Sequence, residues 1–232
     1  MLKVLRPPLA RLLTPVGNAL ARTPLTPNML TVIGAVGVTA GALTLFPTGH
    51  LFAGTMVCTG FVLADMLDGA LARVQGNSGA FGAFLDSTLD RVGDAAVFSG
   101  IAIWLVASGQ RALAAVALFC LVAGSLVSYA RARAEGLGLR GDVGIAERAE
   151  RLIIGLVAIG LSGLGVPYVL SAGLWILAGL SAFTFGQRVH AVRRSASDQA
   201  AGPAGSGHEA EAADAGAADA GAGAANSGSA IA

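Results

Sequence analysis

Four aspartates, Asp65, Asp68, Asp86 and Asp90, lie close together in sequence that otherwise reads as membrane-spanning helix. An ionised carboxylate at bilayer depth costs about 2.5–3.5 kcal/mol even on insertion scales, so an intramembrane acid points to function. Four of them need cations. Asp65 and Asp68 are spaced i, i+3 and Asp86 and Asp90 i, i+4, which sets each pair on one face of a helix. Between the pairs, Gln75-Gly76-Asn77-Ser78-Gly79 is a turn cluster. In an antiparallel hairpin folded midway between Asn77 and Ser78, Asp65 and Asp90 are equally far from the turn, and Asp68 and Asp86 nearly so. The spacing therefore predicts two facing rungs of carboxylate. At ~1.5 Å per residue the rungs lie roughly 13–19 Å from the turn, deep enough to require a water-accessible pocket.

Hard oxygen donors with no His or Cys beside them favour Mg²⁺ or Mn²⁺ over zinc. Two such ions ~3.5–4 Å apart clamp the attacking and leaving oxygens of an in-line phosphoryl displacement, and four acids suffice to hold them. The plainer alternative is a structural ion-pair network with Arg73 and Arg91, but two arginines do not balance four carboxylates.

Read in full, Asp65-Met-Leu-Asp68-Gly69-Ala-Leu-Ala72-Arg73, followed by Gly82, Asp86 and Asp90, fits D-x2-D-G-x2-A-R-x8-G-x3-D-x3-D. This pattern resembles the signature of the CDP-alcohol phosphotransferases, with no position missing. The resemblance implies that the four aspartates hold two metal ions, Mg²⁺ or alternatively Mn²⁺, against the diphosphate of a CDP-linked lipid. It implies that Asp90 is also the base for the incoming hydroxyl, and that Asp68, Gly69, Ala72, Arg73 and Gly82 form the CDP-diacylglycerol site. In the family a segment like Thr26-Pro27-Asn28 abuts the nucleotide pocket, which adds Asn28. Other readings stand beside these: small side chains at 69, 72 and 82 also let membrane helices approach closely, and Thr26-Pro27-Asn28 also reads as a turn leading into a helix.

The elements that position these residues follow from composition. With 54% hydrophobic and 12% charged residues in 232 and a mean hydropathy of +0.70, the chain reads as an all-α integral membrane protein, which excludes soluble α/β folds. No charge occurs in 23–64, 95–110, 112–130 or 152–187. Split at Pro47-Thr48-Gly49 and at 163–167, these runs predict six transmembrane helices near 28–46, 50–73, 79–107, 111–134, 147–163 and 167–189. Residues 1–22 do not span, because Lys3, Arg6, Arg11 and Arg22 punctuate the apolar residues and Pro7, Pro8 and Pro15 interrupt a helix. They read as an interfacial amphipathic segment without the apolar core of a signal peptide. Residues 23–194 form the six-span domain. From 195 to 232, Ala, Gly and Ser with scattered acids cannot bury a core and read as a disordered tail. Cys58 and Cys120 fall inside spans as small apolar residues.

Basic residues set the orientation. With the N-terminus cytoplasmic, Arg111 alone of the 15 falls outside and Arg91 falls within a span. This predicts a multi-pass inner-membrane protein with both termini, and the mouth of the acid pocket, on the cytoplasmic side. The basic face suits anionic lipid headgroups. Nucleic acid is a poor partner, since no basic soluble domain with interleaved aromatics is present.

The loop from Ser128 to Arg151 is the second informative stretch. Arginine recognises phosphate with two parallel hydrogen bonds, so Ser128, Arg131, Arg151 and Arg188 could form an anion pocket at the membrane surface, although each of Arg131, Arg133 and Arg151 also serves as a positive-inside anchor. The loop, Leu25-Thr26-Pro27, 41–47 and 86–94 are similar to those members of the family that use inositol 1-phosphate as acceptor. Residue 131 departs from them, being Arg where Lys is expected. The resemblance implies transfer of a phosphatidyl group from CDP-diacylglycerol to inositol 1-phosphate with release of CMP, by a homodimer. Asp94, one turn beyond Asp90, either supports Arg91 or stands behind the acids. Rival readings are a relative using glycerol 3-phosphate, an intramembrane prenyltransferase and an ion-coupled transporter. The last two expect a second acidic motif or repeated halves, and the last two spans contain no aspartate and, over 152–187, no acid at all.

Overall fold

The computed structural model describes residues 26–75 and 79–201, with side chains for all of these but 65–75 and 200–201. The segment 1–22 therefore lies outside the described residues, as do 202–232. Six helices make up the described chain: α1 Pro27–Leu45, α2 Leu51–Gln75, α3 Ala80–Ala107, α4 Arg111–Gly136, α5 Arg148–Gly163 and α6 Val169–Ala201. No strand occurs among the described residues.

Local chemistry fixes the helix ends. Thr26 caps α1 by accepting at Oγ1 from the Met29 amide at 3.3 Å, and Pro27 occupies the first helical position, where a missing N–H costs nothing. At α5 the Glu147 amide donates to Glu150 Oε2 at 2.8 Å, half of a capping box. Gly109, with φ +76°, turns the chain out of α3 while the Gln110 amide donates to the Leu105 carbonyl at 2.8 Å.

The helices pack as a closed ring, each mainly against two neighbours in the order α1, α2, α5, α6, α4, α3 and back to α1, with a smaller contact between α4 and α5. Phe46, Ile101, Leu105, Ile159, Leu174 and Leu177 fill the core. Small residues set the helix spacing: a Cβ on Gly100 would collide with the Ala42 carbonyl, and one on Gly163 with the backbone of Phe52. Met29, Val36, Val122, Trp175 and Phe183 face outward and exposed, as suits an apolar solvent. By length and composition α1, α4 and residues Val169–Gln199 of α6 can each cross a membrane.

The structure adds to the expectation in one place and changes it in another. Along the described lengths α1 packs on both α2 and α3, which the expected α2–α3 hairpin did not include. The small face of α1 allows it: Gly37 and Gly41 admit Phe61 and Val57 of α2, while Ala42 meets Gly100 of α3. Second, α6 runs to Ala201, so residues 195–201 are helical where the tail was expected to begin. Charge ends a membrane span, but Arg193, Arg194, Ala196 and Gln199 are compatible with helix. The overhang also docks: the Arg140 amide donates to Ser195 Oγ at 3.1 Å and Gln199 Nε2 donates to the Gly138 carbonyl at 2.9 Å.

Candidate active site

Four helices meet around one cleft that holds Asp90 and Asp94. Asp90 of α3, 17% exposed, lines it with Thr31 and Gly34 of α1, Val62 of α2, and Arg148 and Leu152 of α5. Asp86, partly buried, lies one turn toward the start of α3 on the same face. One further turn back, Gly82 presents bare backbone, and a Cβ there would stand 3.2 Å from Asn28 Oδ1. Asn28 and Gly82, both assigned from sequence to the nucleotide site, are thus adjacent. Thr31 Oγ1 donates to the Pro27 carbonyl at 3.1 Å, turning its polar end back into its own helix.

Helix register brings α2 to the same level. Gly41 meets Val57 and Gly37 meets Phe61, so α1 and α2 run antiparallel, and one further turn sets Asp65 level with Ile33 and Asp68 level with Leu30. α1 and α3 run parallel, with Asn28 beside Gly82 and Val38 beside Gly93. Asp86 and Asp90 therefore share the level of Asp65 and Asp68, and Asp65 follows the cleft-lining Val62 by three residues. The side chains of Asp65, Asp68, Ala72 and Arg73 lie outside the described residues, as does Gly69 beyond its place in α2.

The sequence did not single out Arg148, the first residue of α5. Its Nη1 lies 2.8 Å from Asp90 Oδ1 and its Nε donates to Asp94 Oδ1 at 3.2 Å. Asp94 thus pairs with Arg148 and not with Arg91, whose Nη2 stands 3.8 Å from Asp90 Oδ2. Read as one of many cytoplasmic anchors, Arg148 was hidden by its own abundance; its spacing of three from Arg151 at a helix start was the available signal.

A second polar cluster lies on the far side of Arg148, where a cleft is lined by Gly124, Ser125, Arg148 and Arg151. Arg151 is 5% exposed and donates to the Ala146 carbonyl at 3.0 Å and the Gly124 carbonyl at 3.3 Å. A side chain on Gly124 would press on that guanidinium. Arg188, 4% exposed, donates to the carbonyls of Val143, at 2.9 Å, and Val127. The Ala146 amide donates to Thr184 Oγ1 at 3.2 Å, so α5 and α6 both clamp the 143–146 loop. Gly144 passes Thr184 too closely for a side chain and has φ +144°. Neither arginine is paired with a carboxylate among the described residues, which suits an anion as the missing partner. Ser128 Oγ donates to the Gly124 carbonyl at 3.2 Å, while Arg131 stands exposed with Nε on Glu135 at 2.8 Å.

Among the described residues no three acidic, His or Cys side chains stand together as a metal site. Asp86 and Asp90 supply carboxylate oxygens of the kind Mg²⁺ and Mn²⁺ prefer, and Asp65 and Asp68, at the same level, are the residues that would complete the set. The donor chemistry fits.

Residues 24–186 match the CDP-alcohol phosphatidyltransferase family. The phosphatidylinositol phosphate synthase of Mycolicibacterium smegmatis is 50% identical over 190 residues, 80% of this chain and 85% of its own length. That of Streptomyces avermitilis is 46% identical over 202 residues, 84% of this chain and 83% of its own. Among solved structures, Mycobacterium tuberculosis phosphatidylinositol phosphate synthase with CDP-DAG bound matches with a TM-score of 0.74 at 49% identity, covering 78% of this chain and 94% of that one. The same enzyme in complex with manganese and citrate gives 0.75 at 49% identity, covering 79% and 90%. With the complete aspartate signature, an acid-lined cleft between α1, α3 and α5, and these matches along most of its length, the chain belongs to the CDP-alcohol phosphatidyltransferase family.

Proposed function

We propose that this chain transfers the phosphatidyl group of CDP-diacylglycerol to a hydroxyl of inositol 1-phosphate. The hydroxyl oxygen bonds to the lipid-bearing phosphorus, the bond from that phosphorus to the bridging oxygen breaks, and CMP leaves. The observation that carries the reading is identity of 46–50% to phosphatidylinositol phosphate synthases across both the aspartate signature and the arginine-bearing loop. A shared signature alone would support only the reaction class.

In this reading Asp65, Asp68, Asp86 and Asp90 hold two divalent ions, Mg²⁺ or Mn²⁺. When bound, such ions neutralise the diphosphate and stabilise the attacking and leaving oxygens. Asp90 receives the proton of the attacking hydroxyl. Asn28 and Gly82 make room for the nucleotide at the start of α3, continued on α2 by Asp68, Gly69, Ala72 and Arg73. Arg151 and Arg188, with Ser128 and Arg131, take the acceptor's phosphate. The buried arginines retain N–H groups beyond those given to backbone carbonyls, so an anion can be added without dismantling the loop. All six helices cross the inner membrane of a homodimer, with both termini and the cleft mouth cytoplasmic.

CMP release from CDP-diacylglycerol by the purified chain tests the reading. Release should require inositol 1-phosphate and a divalent ion, and should stop with EDTA. Release that persists in EDTA, or that runs equally well with unphosphorylated inositol, would overturn it.

A further inference from the structure

Arg148 is an unusual first residue for a helix. A cation at a helix N-terminus faces the positive end of the macrodipole, so α5 gains nothing from it. Its partners lie instead on α3, across the ring: Nη1 on Asp90 Oδ1 at 2.8 Å and Nε on Asp94 Oδ1 at 3.2 Å. Both aspartates are largely buried, at 17% and 15% exposed, and Arg148 is 27% exposed. Asp90 is flanked on its other oxygen as well, with Arg91 Nη2 3.8 Å from Oδ2. Arg148 thus occupies Oδ1, while Arg91 stands too far from Oδ2 for a hydrogen bond. For a divalent ion to use both oxygens, Arg148 must give way. Arg148 can do so without leaving its charge alone, because Nε remains on Asp94 when Nη1 lets go.

We propose that Arg148 is a positioning residue that holds Asp90 until a divalent ion arrives and then rests on Asp94, so that the Arg148–Asp94 pair sets the affinity of the site for the ion. This rests on the reading of Asp90 as a metal ligand. Asp94 acts only through Arg148: while present it draws the guanidinium off Asp90, and without it the guanidinium sits wholly on Asp90.

Mn²⁺ binding to the purified full chain, followed by the electron paramagnetic resonance of free Mn²⁺ without substrate, tests this in four variants. Arg148→Gln should bind Mn²⁺ more tightly by on the order of tenfold, a modest share of the interaction between unit charges a few ångströms apart near a protein surface. Asp94→Asn should bind it more weakly by a similar factor. In the double variant the Asp94→Asn effect should vanish, the signature of a residue acting through its partner. If Arg148 only pins α3 to α5, Arg148→Gln and Asp94→Asn will both lower the melting temperature and leave Mn²⁺ affinity unchanged or weaken it alike, which would overturn the proposal. Should Arg148→Gln fail to fold, unchanged affinity in Asp94→Asn is sufficient to overturn it. Asp86→Asn/Asp90→Asn is the control: wild-type protein binding no more Mn²⁺ than this variant would remove the metal reading itself, and this proposal with it.

Discussion

In the proposed reaction Asp90 serves as metal ligand and proton acceptor, and it lies between two arginines, at 2.8 Å from Arg148 and 3.8 Å from Arg91. The same proposal gives Asp65, Asp68 and Asp86 a share of the metal. Each of the four as Asn should lose more activity than the ~10- to 100-fold typical of groups one step removed from a metal, while membrane insertion is kept. Near-wild-type turnover in any two of them would break the two-ion account. Gly82 makes a different demand. A Cβ there reaches 3.2 Å from Asn28 Oδ1, so Gly82→Val should displace Asn28 and raise the KM for CDP-diacylglycerol well above that of wild type, with the KM for the acceptor nearly unchanged. Equal effects on both would take Asn28 and Gly82 out of the nucleotide site. The aspartates stood out because charge inside an apolar run is costly and two nearby arginines do not balance four carboxylates. Arg148 was not, because a basic residue at the start of a span always has one.

Helix positions were legible to within about two residues at most ends, since membrane helices begin and end where charge and turn residues do. What was not legible was the place of α1: apolar runs say that a helix is buried but not against which neighbour. The insertion of α1 beside both α2 and α3 depends on Gly37, Gly41 and Ala42 facing particular partners, and periodicity carries no such information. The end of α6 failed for another reason, since hydropathy marks where a span stops and not where hydrogen-bonded helix does. Removing residues after Ala201 should leave the described fold and the activity intact. Removing those after Arg194 deletes the contacts of Ser195 and Gln199 with 138–140, each worth about 1 kcal/mol or less at an exposed site. The expected result is faster amide hydrogen exchange across 137–146 with most activity retained. Unaltered exchange would show that the overhang does not brace the loop.

Across the whole molecule, a ring of helices gives an apolar outer wall and gathers charge at one end, where the starts of α1, α3 and α5 meet the end of α2. In the proposed reading this keeps Asp86 and Asp90, deep in apolar sequence, from lipid. If that end faces the cytoplasm, a thiol introduced as Gly79→Cys should react with an impermeant maleimide only in inverted vesicles, and one introduced as Gln110→Cys only in intact cells. Cys58 and Cys120 are buried and should not compete. Reversed labelling would invert the topology. The central claim concerns chemistry, and one measurement meets it directly: purified protein with CDP-diacylglycerol, Mg²⁺ and equal concentrations of inositol 1-phosphate, inositol and glycerol 3-phosphate, with the lipid product identified by mass spectrometry. The buried arginines predict a phosphorylated acceptor, since unphosphorylated inositol leaves their charge unmet, and the 46–50% identity to phosphatidylinositol phosphate synthases predicts phosphatidylinositol phosphate as the dominant product. Phosphatidylglycerol phosphate, or phosphatidylinositol in comparable amount, would contradict the acceptor assignment.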